Sequence, residues 1–137
     1  MKINYSTKLT TRESLYSLYE CLGWNNYLQL DKEQLAKAME QSWYIIYAYH
    51  ENTLVGTGRV VSDGVINAYL CGLGVDPNYR NKGVGTEISK RLVEYCQSNN
   101  LHIQFFCEER LVPYYTNLGF EIFATGMKMS SNQFDDK

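Results

Sequence analysis

The stretch Val75-Asp76-Pro77-Asn78-Tyr79-Arg80-Asn81-Lys82-Gly83-Val84-Gly85-Thr86 decides how this chain is read. It leaves a run rich in β-branched and aromatic residues and turns through a glycine-containing loop. It then opens a segment in which Ile88, Leu92, Tyr95 and Cys96 share one helical face. A strand-to-helix turn of this kind suits a phosphate. The first N–H groups of a helix have no partner inside it, the helix dipole adds positive potential there, and glycine lets a ligand approach the backbone. Arg80 and Lys82 add charge beside the same turn. An ordinary strand-to-helix turn with basic surface residues shows the same glycine spacing, so the spacing alone leaves both readings open. Two other phosphate motifs do not fit. A P-loop needs Gly-Lys followed by Ser or Thr, whereas Lys82 precedes Gly83, and a dinucleotide fingerprint needs a third glycine where Ile88 stands.

Upstream of this stretch, Trp43 to Tyr49, Leu54 to Val61 and Val65 to Val75 read as three strands, separated by His50-Glu51-Asn52 and Ser62-Asp63-Gly64. Gly72 and Gly74 interrupt the third run, where glycine marks a bulge or a close backbone approach. Before them, Ile3 to Tyr5 reads as a first strand. Thr10 with Glu13 offers a capping box for a helix carrying Leu15, Leu18, Tyr19 and Leu22 on one face until Gly23. Gly23-Trp24-Asn25-Asn26-Tyr27 is expected as a loop, and Asp31 with Gln34 starts a second helix with Leu35, Ala38 and Met39 inward. Downstream, a helix closes at Ser98-Asn99-Asn100 and Ile103 to Cys107 is a short strand. Leu111 to Leu118 is a short helix, and Phe120 to Met129 is a last strand. The order predicts an α/β fold, a mixed sheet with helices packed on it. Residues 1–130 are expected to form a single domain, with 131–137 as a flexible tail.

At this point the sequence closely resembles the GNAT (GCN5-related N-acetyltransferase) superfamily, whose signature R/Q-x-x-G-x-G/A follows a V-x-P strand end. Arg80-Asn81-Lys82-Gly83-Val84-Gly85 matches each fixed position after Val75-Asp76-Pro77, and Tyr114-Tyr115-Thr116-Asn117-Leu118-Gly119-Phe120 resembles the family's later F-Y-x-x-x-G-F pattern. The resemblance implies a single mixed, mostly antiparallel sheet, splayed at the cofactor-binding strand and flanked by helices. It implies acetyl-CoA as cosubstrate and no metal. Arg80, Asn81, Lys82, Gly83, Val84, Gly85 and Thr86 would hold the pyrophosphate, and the backbone of Leu73 and Val75 would pair with the pantetheine arm and stabilise an oxyanion. Asn117 would also touch the cofactor.

Tyr115 is implied as general acid toward the CoA thiolate. A phenol can do this because its ordinary pKa of about 10 leaves it protonated at neutral pH. The same aromatics, Tyr114, Tyr115 and Phe120, also suit a core. Many relatives carry an acid on the strand before the signature loop, whereas this chain has Tyr69-Leu70-Cys71-Gly72-Leu73. Glu108 or Glu109 is therefore the candidate base, acting through water. Trp24 and Tyr27 lie in the loop that borders the acceptor site in GNAT proteins and are the candidate substrate contacts. His50, His102 and Cys107 are expected to be structural, with Cys107 buried.

The remaining composition bounds the function. With 45% apolar residues over 137 positions, the chain can bury one substantial core. A net charge of -2 without a basic run argues against nucleic acid or an anionic membrane surface as partner. Cys21, Cys71, Cys96 and Cys107 form no C-x-x-C pair, which points to free thiols in a reducing cytoplasm rather than zinc or a disulfide framework. Met1-Lys2-Ile3-Asn4 leads into mixed polar sequence without the apolar core of roughly seven to fifteen residues that export needs, and no window approaches the roughly twenty of a membrane span. The expected activity is acetyl transfer to a primary amine of a small molecule, with protein amines as the other acceptor class. A CoA-binding sensor with little turnover is the alternative. A homodimer built through the final strand fits the resemblance too.

Overall fold

A computed structural model describes residues 1–130, which divide between two compact units, Met1–Phe105 and the segment from Phe106 onward. In the first unit five strands lie in chain order: β1 (Ile3–Ser6), β2 (Tyr44–His50), β3 (Thr53–Ser62), β4 (Asn67–Val75) and β5 (His102–Gln104). β1 through β4 pair antiparallel, and β5 pairs parallel to β4, to which it is joined through the helix α4 (Val84–Ser98). A parallel neighbour requires such a crossover, so the strand-to-helix reading of residues 75–86 and the parallel edge are one fact.

Strand alternation sorts the core into two layers. Ile46, Ala48, Val55, Val60 and Ala68 pack with Val84, Ile88, Leu92 and Cys96 of α4. On the other face Tyr47, Tyr49 and Leu54 meet α1 (Arg12–Cys21) and α3 (Lys32–Glu40) through Leu15, Leu18, Tyr19, Leu35 and Met39. Each fully buried aliphatic side chain contributes about 1.5–3 kcal/mol over its exposed state. The expected helical faces turn inward, Leu22 and Ala38 only half-buried, and Tyr95 is the exposed exception. Its ring stacks on Tyr44 at 3.9 Å at the rim, and the residue is 41% exposed.

Several expectations shift at element ends. The cap of α1 is Thr11, whose hydroxyl accepts from the Ser14 N–H at 3.1 Å, not Thr10 with Glu13. The capping box at Asp31 is present in full, each partner bonding the other's backbone. The loop expected at 23–27 contains a short helix, α2 (Asn25–Leu28), because the buried Asn25 side chain bonds both the N–H and the carbonyl of Leu30 and folds the segment back.

In the second unit a 3-10 turn (Glu109–Leu111) leads into α5 (Val112–Asn117), which ends where Gly119 takes a φ of +100°. The strands expected over 103–107 and 120–129 are corrected. β5 stops at Gln104, and residues 120–130 carry no strand. A strand exists only where its peptide groups find a neighbouring ladder, and the second unit holds no other strand among the described residues. Met127 and Ile122 are correspondingly exposed, at 90% and 76%. The tail expected over 131–137 lies outside the described residues.

Candidate active site

β4 is the strand on which the site is built. It pairs with β3 along most of its length but with β5 only at Asn67, Ala68 and Tyr69. Beyond Tyr69 its outer edge has no strand partner among the described residues, which is the splay that the resemblance implies. The bulge expected from the glycines sits there. Thr57 pairs with Gly74 and Arg59 with Cys71, leaving Gly72 and Leu73 opposite Gly58 alone. Gly72 has a φ of +62°, the left-handed region that favours glycine. Past the bulge, the Asp76 N–H donates to the Val55 carbonyl at 2.8 Å, on the β3 side. Peptide groups alternate sides along a strand, so the Val75 N–H and carbonyl face the open edge. The Arg80 Nε–H donates to that Val75 carbonyl at 3.0 Å.

Residues 76–83 form the loop. Asp76 accepts the Asn78 N–H at 2.9 Å and closes a single 3-10 turn, Pro77–Tyr79. Asn81 and Gly83 then take φ values of +62° and +83°, and α4 begins directly. Its N-cap is Gly83, which offers no side-chain cap, so the amides of Val84, Gly85 and Thr86 keep their donors unmet by a capping group. A Cβ placed on Gly83 would meet nothing within 4 Å. Arg80, Asn81, Lys82 and Gly83 are all exposed. A concave run of amides with cations beside it and no side chain over it fits a pyrophosphate. Gly58 of β3 helps seat the helix, since a Cβ there would come within 2.9 Å of Ile88.

Trp24 lies over the α1 side of β4. A Cβ on Gly74 would fall 2.6 Å from its ring, and the ring meets Tyr19 edge-on at 5.1 Å. The close approach inferred from Gly74 is therefore made by Trp24. Tyr27, on α2, is 74% exposed.

In the second unit Tyr115 sits between Tyr114 and Phe120, with ring centroids at 5.0 and 6.1 Å and both contacts edge-on. Burial, with smaller effects from Tyr114 and Cys107, pushes its phenol above the ordinary tyrosine value. Asn117 ends α5 and is exposed. Glu108 and Glu109 are exposed at the 3-10 turn, and the Glu108 carboxylate accepts from Arg110 Nε at 2.8 Å. Cys107 is exposed rather than buried, because the strand expected to bury it ends at Gln104.

His50 serves structure, as expected: its Nδ1 lies 2.8 Å from the Tyr79 hydroxyl, tying the β2–β3 turn to the loop before α4 across 29 residues of chain. One group near the site escaped the reading of the sequence. Arg59 is the one charge in the otherwise uncharged run of β3, and that break in the pattern was its only signal.

The chain matches the Acetyltransferase (GNAT) family over residues 10–120. With its signature loop, its bulged strand and its splayed mixed sheet, it belongs to the GNAT acetyltransferase family. It is 28% identical over 127 residues to the histone acetyltransferase TAP1 of Glycine max, covering 83% of this chain and 53% of that protein. It spans about half the length of the curated relatives that it matches. Among solved structures, a GNAT family acetyltransferase from Streptococcus pneumoniae TIGR4 superposes with a TM-score of 0.73 at 25% identity, over 94% of this chain and 96% of that one. The fold is shared also by a predicted acetyltransferase from Clostridium acetobutylicum with acetyl-CoA, at TM-score 0.69 and 15% identity over 98% and 99% of the two chains.

Proposed function

We propose that this chain is an acetyl-CoA-dependent N-acetyltransferase that acts on the primary amine of a small molecule, by direct transfer in a ternary complex. The observation that carries the reading is the uncapped, glycine-entered start of α4 next to the open edge of β4. Acetyl-CoA supplies an activated acetyl thioester. The amides of residues 83–86, with Arg80 and Lys82, bind the pyrophosphate, and Asn117 adds a contact to the cofactor. Leu73 and Val75 offer backbone groups to the pantetheine arm and N–H donors to the oxyanion that develops on the acetyl carbonyl.

The remaining roles are proton transfers. Tyr115, a phenol already protonated at neutral pH and pushed further that way by burial, donates its proton to the departing thiolate. The attacking amine must be neutral. Glu108 already shares its carboxylate with Arg110, which favours Glu109 as the base, working through water. Trp24 and Tyr27 border the acceptor. The four free cysteines support a cytoplasmic setting, and exposed Phe123, Met127 and Met129 supply apolar surface for a homodimer.

A CoA-binding module with little turnover is the second reading, favoured by the absence of a carboxylate in residues 69–73. The deciding experiment incubates the protein with acetyl-CoA and a panel of small amines and reads acetylated products by mass spectrometry. We expect product from one chemical class, with turnover lowered about 100-fold or more in Tyr115→Phe. Tight acetyl-CoA binding without any product would favour the module, and an unimpaired Tyr115→Phe would remove the acid.

A further inference from the structure

We infer that Arg59 recognises an anionic group on the acceptor, so that the amine handled by this chain also carries a carboxylate or a phosphate. The inference rests on the acetyltransferase reading for the word acceptor, and on unit-one geometry for the rest.

Arg59 stands in β3 between buried Gly58 and Val60, and the register places it between Ile45 of β2 and Cys71 of β4. Ile45 packs with the α1 and α3 layer, so the guanidinium lies on that face. Its Nη1 donates to Ser42 Oγ at 3.2 Å, and the Tyr19 hydroxyl is a second neighbour. Its Nε is withdrawn from water with no acceptor. None of the ion pairs among the described residues engages Arg59. The groups facing it are the hydroxyls of Tyr19, Tyr47 and Ser42 and the Cys71 thiol. Glu40, which acts weakly on Tyr47, pairs instead with Arg12 at 3.9 Å.

A half-buried cation without a counter-ion is costly to the fold. A ligand that brings the missing charge accounts for it, and the location supports that account. A Cβ on Gly72 would lie 3.7 Å from Arg59 Nε and 3.4 Å from the Tyr19 hydroxyl. The cation therefore adjoins the bulge at which β4 has already left β5. With no side chain at Gly72, that stretch of β4 is bare beside it. A guanidinium fork matches the paired oxygens of a carboxylate or a phosphate, where a lysine would offer only a point charge.

The test uses matched acceptors, glycine against glycinamide and phosphoethanolamine against ethanolamine, with the wild type, Arg59→Met and Arg59→Lys. In the wild type, kcat/KM should favour at least one anionic member by about tenfold or more, and whichever pair shows it separates carboxylate from phosphate. Arg59→Met should erase that preference through KM of the anionic acceptor. KM for acetyl-CoA and turnover of the neutral member should stay put, and Arg59→Lys should retain part of the preference. Neutral amines acetylated without any anionic preference would overturn the inference and leave the transferase reading intact. Equal losses on both members in Arg59→Met would also overturn it, making Arg59 a tie between Tyr19 and Ser42. Calorimetric titration of glycine and phosphoethanolamine with CoA present supplies a readout that needs no turnover. Binding lost in Arg59→Met without acetylation would sustain the anion site and sink the transferase reading, whereas neither binding nor acetylation would sink the anion site.

Discussion

The two faces of the one sheet differ in kind. Toward α4 the contacts are aliphatic, with Ile46, Val55, Val60, Ile88 and Leu92 all out of water. Toward α1 and α3 the sheet presents Tyr47, Tyr49, Thr57 and Arg59, and the hydroxyl of Tyr49 both accepts from the Thr10 N–H and donates to the Lys8 carbonyl. The first face holds the helix whose N-terminus follows the signature loop. The second carries hydroxyls and a cation beside the β4 bulge. Dry packing fixes a helix axis, while polar groups near a strand edge can choose a ligand. One strand pair thus combines a dry, rigid side with a polar side that, on the proposed reading, recognises a ligand.

Leu92→Ala tests the dry face most severely. It should cost about 2–5 kcal/mol by urea denaturation, since the side chain is enclosed by the sheet and the cavity cannot collapse freely. A loss below 1 kcal/mol would show that this face is looser than its burial implies.

Gly58→Ala and Gly74→Ala form a matched pair across the sheet. The added methyl lies 2.9 Å from Ile88 in the first and 2.6 Å from Trp24 in the second, and each should cost about 1–3 kcal/mol. Ile88 is locked mid-helix, whereas Trp24 belongs to the turn between α1 and α2. The Gly58 change should therefore cost more, and a Trp24→Ala background should relieve only part of the Gly74 penalty, since Leu22 Cδ1 lies 2.7 Å from the same methyl. The reverse ranking in thermal denaturation would mean that the tyrosine face is the stiffer one.

The signature loop separates charge from backbone strain. Asn and Asp both tolerate the left-handed φ of Gly83, so Gly83→Asn and Gly83→Asp differ chiefly in charge. Acetyl-CoA should bind the Asp variant about tenfold more weakly than the Asn variant, roughly 1.4 kcal/mol, by calorimetry. Equal affinities would break the phosphate assignment.

The smallest effect is in alkaline solution. Burial raises the phenols of Tyr47 and Tyr19 above the ordinary value of about 10, so at high pH the native state holds more protons than the unfolded one. That contribution is intact below pH of about 10 and is lost as pH rises toward the raised values. Denaturation curves taken on either side of pH 10 should show stability falling, and Tyr47→Phe should flatten the decline.

Much of this was legible in the chain. Arg80 to Gly85 announced the loop, Gly72 and Gly74 announced a bulge and a close approach, and Asp31 with Gln34 announced a cap that forms as written. Such signals are local, because a capping hydrogen bond or a positive φ is settled within a few residues. Asn25 turning α2 back onto Leu30, and Thr11 replacing Thr10 at a cap, were misread because neighbouring polar residues compete for the same few backbone groups. The last strand was misread for another reason. Phe120 to Met129 has β-type composition, but composition supplies no neighbour, and the ladder is absent from its unit among the described residues.

By itself, then, the sequence determined the strand and helix order as far as β5, the short α2 aside, together with the signature loop and the family, since each is written in spacing and turn chemistry over short stretches. Only the tertiary structure decided that β4 leaves β5 after Tyr69, that Trp24 fills the space opened by Gly74, and that Arg59 reaches the bulge without a carboxylate beside it. Those facts depend on which distant segments share one side of a sheet, and strand register, not local spacing, sets that.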